Sequence, residues 1–266
     1  MDGPANARSI WSLQGALAEL HCGPLSGQVD VARPHLGLRQ LSIDRVRIQG
    51  TLLRAIRSAE PRAIEPATST DEADGWPLPV ADAYVRGHDL VASYRSIDDW
   101  PYAPQLDWQA NTLNSVEGVR ASLSLLVSVQ THLLDSRPQI SVVSQMPSAE
   151  QLRMSTGEGE RASVEPVEGD ERMLPFGSTC CVIRRSVAAS LSYVEIVSAV
   201  DFCDVRITRD GQGDSIVEWR VFAEFLEKGV IRRARIHSAL VPRENDIELA
   251  IECCAAIEQH PLPLTT

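Results

Sequence analysis

The residues with the most chemical promise lie between Gly87 and Trp108. Six of the chain's thirteen aromatic side chains, Trp76, Tyr84, Tyr94, Trp100, Tyr102 and Trp108, fall within 33 consecutive positions. Around Trp100 the same stretch offers Arg95, Asp98, Asp99, Asp107 and His88. Flat rings flanked by carboxylates and a guanidinium suit a sugar, whose C–H face stacks while its hydroxyls take polar partners. The ligand set expected from the sequence is Trp100, Tyr102, Trp108, Asp98, Arg95 and His88, for a sugar or another small molecule. The competing account is that the rings plug one end of a β-sandwich. Asp98 and Asp99 are adjacent, and strand neighbours point to opposite faces, so they do not form a catalytic pair directly.

A second patch combines His237 with Arg233 and Arg235. On one strand face these three would attract an anion; cross-strand pairing with Glu224 and Arg220 accounts for the same charges without a ligand. Motifs with a known mechanism are missing: no GxxxxGK[ST], no GxGxxG opening a helix, no GxSxG and no HExxH. No cofactor is expected. The six cysteines include two adjacent pairs, Cys180-Cys181 and Cys253-Cys254, and no CxxC. Vicinal thiols rarely chelate one ion together and no histidine lies at ligand spacing, so no metal is expected. The pattern fits reduced thiols in a cytoplasm better than a secreted disulfide framework.

The bulk properties narrow the partners. A net charge of −11 argues against non-specific binding to nucleic acid or to an anionic membrane, because a phosphate-binding surface needs surplus cations. No apolar run approaches the ~20 residues of a membrane-spanning helix. The first fourteen residues are polar and do not read as a signal peptide. Hydrophobic residues make up 44% of 266, enough to fill a core.

These residues need elements to hold them, and the pattern is of strands. Short alternating runs occupy Gln28–Ala32, Leu36–Arg47 and Thr51–Ile56, while Ile10–Leu20 fits strand or helix. Val80–Val85 and Asp89–Tyr94 form a hairpin about Gly87-His88. Asp98–Pro104 reads as irregular, since two nearby prolines do not suit a central strand. Leu106–Leu113, Val119–Leu134 and Gln139–Val143 follow. Ser58–Asp74 and Pro147–Glu171 read as polar loops. Thr179–Ile183 and Ala188–Val200 return to β composition. Near the end, Asn245 or Asp246 caps a helix whose apolar face is Ile247, Ala250, Ile251, Cys254 and Ile257.

The densest alternation runs from Cys203 to Pro242. Asp210-Gly211-Gln212-Gly213 supplies one reversal and Lys228-Gly229 a second. A Lys-Gly loop with both residues at positive φ sets Val221 opposite Ile236, Trp219 opposite Ser238, Arg220 opposite His237 and Glu224 opposite Arg233. A helix over Trp219, Phe222 and Leu226, stopped at Gly229, is the competing account.

The fold expected is mainly β: a large antiparallel β-sandwich of two coupled sheets, with a short C-terminal helix. One large domain of 1–266 is expected, with two similar halves at about 27–145 and 176–243 joined by the polar stretch 147–171. A supersandwich, as found in mutarotase-like sugar-binding proteins, suits the length and the long strands; the analogy is one of fold and no specific motif carries it. Two functions fit: carbohydrate binding or processing, or a non-catalytic β scaffold that recognises a protein partner or forms a homo-oligomer.

Overall fold

The computed structural model describes residues 10–57, 78–156, 162–175, 179–187 and 190–259. In chain order its strands are β1 (Trp11–Gln14), β2 (Leu17–Cys22), β3 (Leu25–Asp30), β4 (Leu38–Ile43), β5 (Val46–Arg47) and β6 (Thr51–Arg57). Then come β7 (Val80–Arg86), β8 (Asp89–Tyr94), β9 (Tyr102–Ala110), β10 (Ala121–Thr131), β11 (Ile140–Met146), β12 (Ser148–Thr156), β13 (Ser163–Pro166) and β14 (Glu171–Met173). The last are β15 (Thr179–Ser186), β16 (Leu191–Ser198), β17 (Asp204–Arg209), β18 (Ser215–Phe222) and β19 (Arg232–Pro242), followed by the helix α1 (Asp246–Glu258).

Two antiparallel sheets form from these strands. A ten-stranded sheet runs β1-β2-β3-β4-β6-β11-β18-β17-β14, with β5 beside β4, and a nine-stranded sheet runs β13-β12-β15-β16-β19-β10-β9-β8-β7. Alternation explains the sandwich. Leu123, Leu125, Val127 and Val129 of β10, Ala234, Ile236 and Leu240 of β19, and Val217, Trp219 and Val221 of β18 all join one core between the sheets. A second, smaller core forms on the outside of the nine-stranded sheet. There Cys181, Ile183, Val194, Ile196, Ala239 and Val241 meet Leu249, Ala250, Cys253, Cys254 and Ile257 of α1. The helix therefore covers the outer face over β15, β16 and part of β19.

The expected sandwich with a C-terminal helix is present; several local expectations need correction. β18 and β19 are not a hairpin. β18 pairs with β11 and β17, and β19 with β10 and β16, so the two strands lie in different sheets. Their apolar faces still meet, but across the core rather than side by side. Gly229 does turn the chain, at φ 82°, while Lys228 is not at positive φ, so the turn is not of the primed type. The helix reading of Trp219–Leu226 also falls, because Ser215–Phe222 is strand. Arg220 pairs with Asp204, and Glu224 with Arg232. The Asp210–Gly213 reversal joins β17 to β18, with Asp210 Oδ1 accepting from the backbone N–H of Gln212 and Asp214.

Pro147–Glu171 is not simply a loop, since β12 and β13 occupy much of it. β12 alternates buried Leu152 and Met154 against α1's core with charged Arg153, a pattern that the surrounding polar residues obscure. Pro104 lies inside β9, opposite Val129 of β10, at a level where β8 no longer pairs with β9. On α1, Ile251 is 39% exposed and Leu249 and Cys253 are buried in its place, so the buried stripe is shifted round the helix. Asn245 occupies the N-cap without a side-chain hydrogen bond. The Ser58–Asp74 expectation lies outside the described residues.

A buried ion pair on the inner face of the nine-stranded sheet ties the two sheets together. Arg184 of β15 and Glu195 of β16 are both 0% exposed, with Arg184 Nη2 3.0 Å from Glu195 Oε1. That contact is poorly aligned for a hydrogen bond and is chiefly ionic. Glu195 also accepts from Tyr193 Oη at 3.1 Å and from Trp219 Nε1 at 2.9 Å, the latter across the gap between sheets. Arg184 Nη1 donates to the Ser144 carbonyl at 3.0 Å in the opposite sheet, and its guanidinium lies 4.8 Å from the Tyr193 ring centre. Ser144 sits at a register shift between β11 and β6, where its Oγ accepts the N–H of Leu53, held at φ 53°.

Candidate functional site

The aromatic segment does not form an open sugar platform. Trp100, Tyr102 and Trp108 are 2%, 7% and 0% exposed and belong to the core between the sheets. Trp100 and Tyr102 pack edge to face with ring centres 5.5 Å apart, and Tyr102 Oη accepts the N–H of Arg137. Tyr94 is buried as well, donating to the Val31 carbonyl at 2.8 Å. The reason is register: Trp108 alternates with Asp107 and Gln109, and the sandwich buries the apolar side of β9. His88 at the β7–β8 turn, Arg95 and Asp98 are exposed, and the structure does not gather them around a ring. Trp76 lies outside the described residues.

The polar side of the same strands is more organised. Where α1 does not reach, the outer face of the nine-stranded sheet carries two rows. Asp89 of β8, Gln109 of β9, Ser124 of β10 and His237 of β19 are register partners in succession, and so are Val91, Asp107, Leu126 and Arg235. Alternation alone places Asp107 with Gln109, and Arg235 with His237, on one face.

Asp107 is 5% exposed. Its Oδ2 accepts from Gln109 Nε2 at 2.8 Å, while Oδ1 is buried without a hydrogen-bond partner among the described residues. Burial, then the nearby Asp89 charge, pushes the carboxyl pKa up to about 6; the Gln109 hydrogen bond, Arg86 and Arg235 pull the other way. Asp201, in the β16–β17 connection, accepts the backbone N–H of Arg235 at 3.4 Å and is likewise pushed up to about 6, mainly by burial. Arg235 feels Asp107, Asp201 and Asp89, yet it has no ion pair within 4.0 Å among the described residues, and its Nε is buried without a partner. Buried donors and acceptors in native proteins are nearly always satisfied, so an open carboxylate oxygen and an open guanidinium nitrogen on one face call for a ligand or ordered water.

His237 completes the arrangement. It is 8% exposed, and Nδ1 lies 2.9 Å from Ser124 Oγ, which is itself 2.7 Å from Thr112 Oγ1. Burial, helped by the Arg235 charge, pushes the imidazole down to about 3 and keeps it neutral near pH 7. Thr112 belongs to the 111–120 connection, which is tied to α1: Gly118, at φ 94°, leaves room for Leu249, whose Cδ2 would lie 3.2 Å from an added Cβ. Sequence reasoning had grouped His237 with Arg233 and Arg235 but assigned the wrong strand neighbours. Ser124 was missed; the signal is the serine repeat Ser122, Ser124 and Ser128 opposing the apolar residues of β10.

Among the described residues, cavities also lie away from this face. One of about 330 Å³ is walled by Arg153, Glu165, Arg172, Met173 and Cys180, but its charges are already paired, Arg153 with Glu165 and Glu171, and Arg172 with Asp204. Another, of about 580 Å³, lies beside His21 and Arg45 on the ten-stranded sheet. All six cysteines are free thiols. No group of three or more His, Cys, Asp or Glu side chains converges as for a metal ion among the described residues. No helix among them is long and apolar enough to cross a membrane.

No family model matches this chain, and no curated protein matches it. Solved structures match in fold. A mutarotase candidate from Salmonella typhimurium aligns over 88% of this chain and 93% of its own, at 6% sequence identity and a TM-score of 0.53. An aldose 1-epimerase candidate from Klebsiella pneumoniae subsp. pneumoniae aligns over 92% of this chain and 86% of its own, at 8% identity and a TM-score of 0.45. By the first of these likenesses, the chain shares its fold with that mutarotase candidate.

Proposed function

We propose that this protein binds a free sugar on the outer face of the nine-stranded sheet and catalyses proton transfer at its anomeric centre. The observation that carries the reading is Asp107, a buried carboxyl whose Oδ1 has no hydrogen-bond partner among the described residues and whose pKa is pushed to about 6. A general base works best when its pKa lies near the operating pH. Asp107 takes the proton of the anomeric hydroxyl, the bond from C1 to the ring oxygen opens, and Arg235 offsets the charge gathering on that oxygen until water supplies a proton. After rotation about the C1–C2 bond the ring hydroxyl closes on the other face of C1 and returns its proton to the hydroxide, while Asp107 gives its proton to O1, so the other anomer forms and the base is regenerated. His237 offers a hydrogen bond to a neighbouring hydroxyl. The fold likeness to a mutarotase candidate supports the choice of a sugar over other ligands.

The test is a panel of free aldoses, read by thermal shift and by NMR exchange between anomers. At least one aldose should raise the melting temperature and exchange faster with protein present. Asp107→Asn should remove about 10²-fold or more of that acceleration. If no aldose on the panel is bound or interconverted, the reading is wrong.

A second reading, a scaffold for protein docking or self-association, rests on a different observation. Leu133, Leu134, Phe225, Val230 and Ile231 are exposed on two connections, β10–β11 and β18–β19, that a Ser136–Leu226 bridge holds together. Grouped apolar exposure of this kind marks interaction surfaces. Light scattering across a concentration series tests it: wild-type protein should associate and Phe225→Asp should not.

A further inference from the structure

We infer that Thr112 and Ser124 are positioning residues: a hydroxyl relay running from Thr112 through Ser124 to Nδ1 of His237 fixes the imidazole with its hydrogen on Nε2, the nitrogen that meets the ligand. The inference rests on the site proposed above.

The geometry supplies the chain. Thr112 Oγ1 to Ser124 Oγ is 2.7 Å, and Ser124 Oγ to His237 Nδ1 is 2.9 Å, both hydrogen-bond lengths. Ser124 is 0% exposed, so water cannot stand in for either neighbour. Each hydroxyl has one hydrogen to give and lone pairs to accept with. Two directions are possible in principle. If Nδ1 carried the hydrogen, it would donate to Ser124 and Ser124 to Thr112, and the hydrogen of the half-buried Thr112 would be left to solvent rather than used inside the protein. In the opposite direction Thr112 donates to Ser124 and Ser124 donates to Nδ1, so both hydroxyl hydrogens are used. The neutral ring then keeps its hydrogen on Nε2, which has no partner among the described residues. The tautomer of a histidine is set by the bond its other nitrogen makes, and here that bond comes from β10. His237 keeps its proton off because it is buried beside Arg235, so tautomer rather than charge is what the relay controls.

The relay also explains why the site needs the 111–120 connection. Thr112 enters it directly after β9, and the connection is anchored on α1 through Gly118 and Leu249. The helix thus reaches the imidazole through an apolar contact and two hydroxyls without touching it.

The experiment uses the full chain labelled with ¹⁵N-histidine, with two-bond ¹H–¹⁵N spectra at pH 7 and the His237 signals identified by their loss in His237→Gln. Wild-type protein should show the Nε2–H pattern. Ser124→Ala should shift the ratio of the two tautomers by about fivefold, the factor for one ordinary hydrogen bond. Ser124→Thr, which keeps a hydroxyl, should restore the wild-type pattern. Should Ser124→Ala fail to fold, Thr112→Val reads the same relay one step further out and should shift the ratio in the same direction. An Nδ1–H pattern in the wild type, or an unchanged ratio in Ser124→Ala or in Thr112→Val, overturns the inference. None of these spectra needs a ligand, so a failure of the aldose panel would defeat the sugar reading and leave the relay standing.

Discussion

Replacing Arg184 by methionine should be among the most damaging single changes in this chain. The side chain is 0% exposed and sits against Glu195, also 0% exposed. Methionine has a similar volume, so little cavity forms. The cost comes from charge. Glu195 would keep its bonds from Tyr193 and Trp219 but lose its only ion-pair partner among the described residues, and the Ser144 carbonyl would lose a donor. Breaking a buried pair by removing one partner costs about 3–5 kcal/mol, because the surviving charge stays desolvated. Adding Glu195→Gln removes that charge, leaves one amide oxygen to accept from Trp219 Nε1, and turns an NH2 that can donate to the Tyr193 hydroxyl oxygen towards Tyr193. The double variant should therefore be more stable than Arg184→Met alone, by about 2 kcal/mol of favourable coupling. Urea melts at pH 7 followed by tryptophan emission are the assay, since Trp219 touches the perturbed carboxylate; the m-value should stay constant if only stability changes. A cost under about 1 kcal/mol for Arg184→Met, or a double variant less stable than the single one, would refute the reasoning, because partner loss at this depth cannot be that cheap.

Three further predictions follow from burial and backbone. Because the His237 pKa is held near 3, below its ordinary 6.5, the unfolded chain binds a proton there first as pH falls. Its contribution to stability is therefore full above about 6.5 and lost below, and urea melts should show the wild type losing roughly 2–3 kcal/mol relative to His237→Gln between pH 7 and 4. Asp107 has the opposite sign: its pKa is raised to about 6, so its contribution is present below about 4 and lost as pH rises through 6. Asp107→Asn should accordingly be more stable than wild type at pH 8, by up to about 3 kcal/mol, even as the acceleration of anomer exchange is lost. Gly229→Val should cost on the order of 1–3 kcal/mol and Gly229→Asn much less; an added Cβ there meets nothing within 4 Å, so equal, small effects in denaturant melts would mean that φ of 82° carries no strain.

The fold class was legible because alternation records which face of a strand is buried. It does not record what lies against that face. Val221 and Ile236 are both core residues, and a side-by-side pair and a pair facing across a sandwich leave the same trace in sequence. Only the neighbours of each strand decide, and the partners are remote: Val142 of β11, which pairs with Trp219, and Leu125 of β10, which pairs with Ile236, lie 77 and 111 positions upstream of them. The aromatic cluster misled for a related reason. Trp100, Tyr102 and Trp108 look like a binding surface when counted, yet they fall on the apolar phase of their segment and fill the core. The site residues occupy the other phase. Asp107 was visible as a flanking carboxylate, whereas Ser124 and Thr112 are ordinary residues until strand pairing sets them beside His237.

Each sheet draws its central strands from distant parts of the chain. β11 stands between β6 and β18, and β10 between β9 and β19. During synthesis both β10 and β11 must therefore wait, one edge open, for partners made long after them. A ribosome that has delivered the first 175 residues has delivered every strand of neither sheet, and Leu123, Leu125, Val142 and Val143 have no lasting cover on that side. Folding is then governed by late, long-range closure, which is slow and exposes strand edges to other chains. A truncation before β18 should yield an aggregating fragment rather than half a protein, and the buried Arg184–Glu195 pair, which reaches Trp219, cannot be completed until β18 arrives.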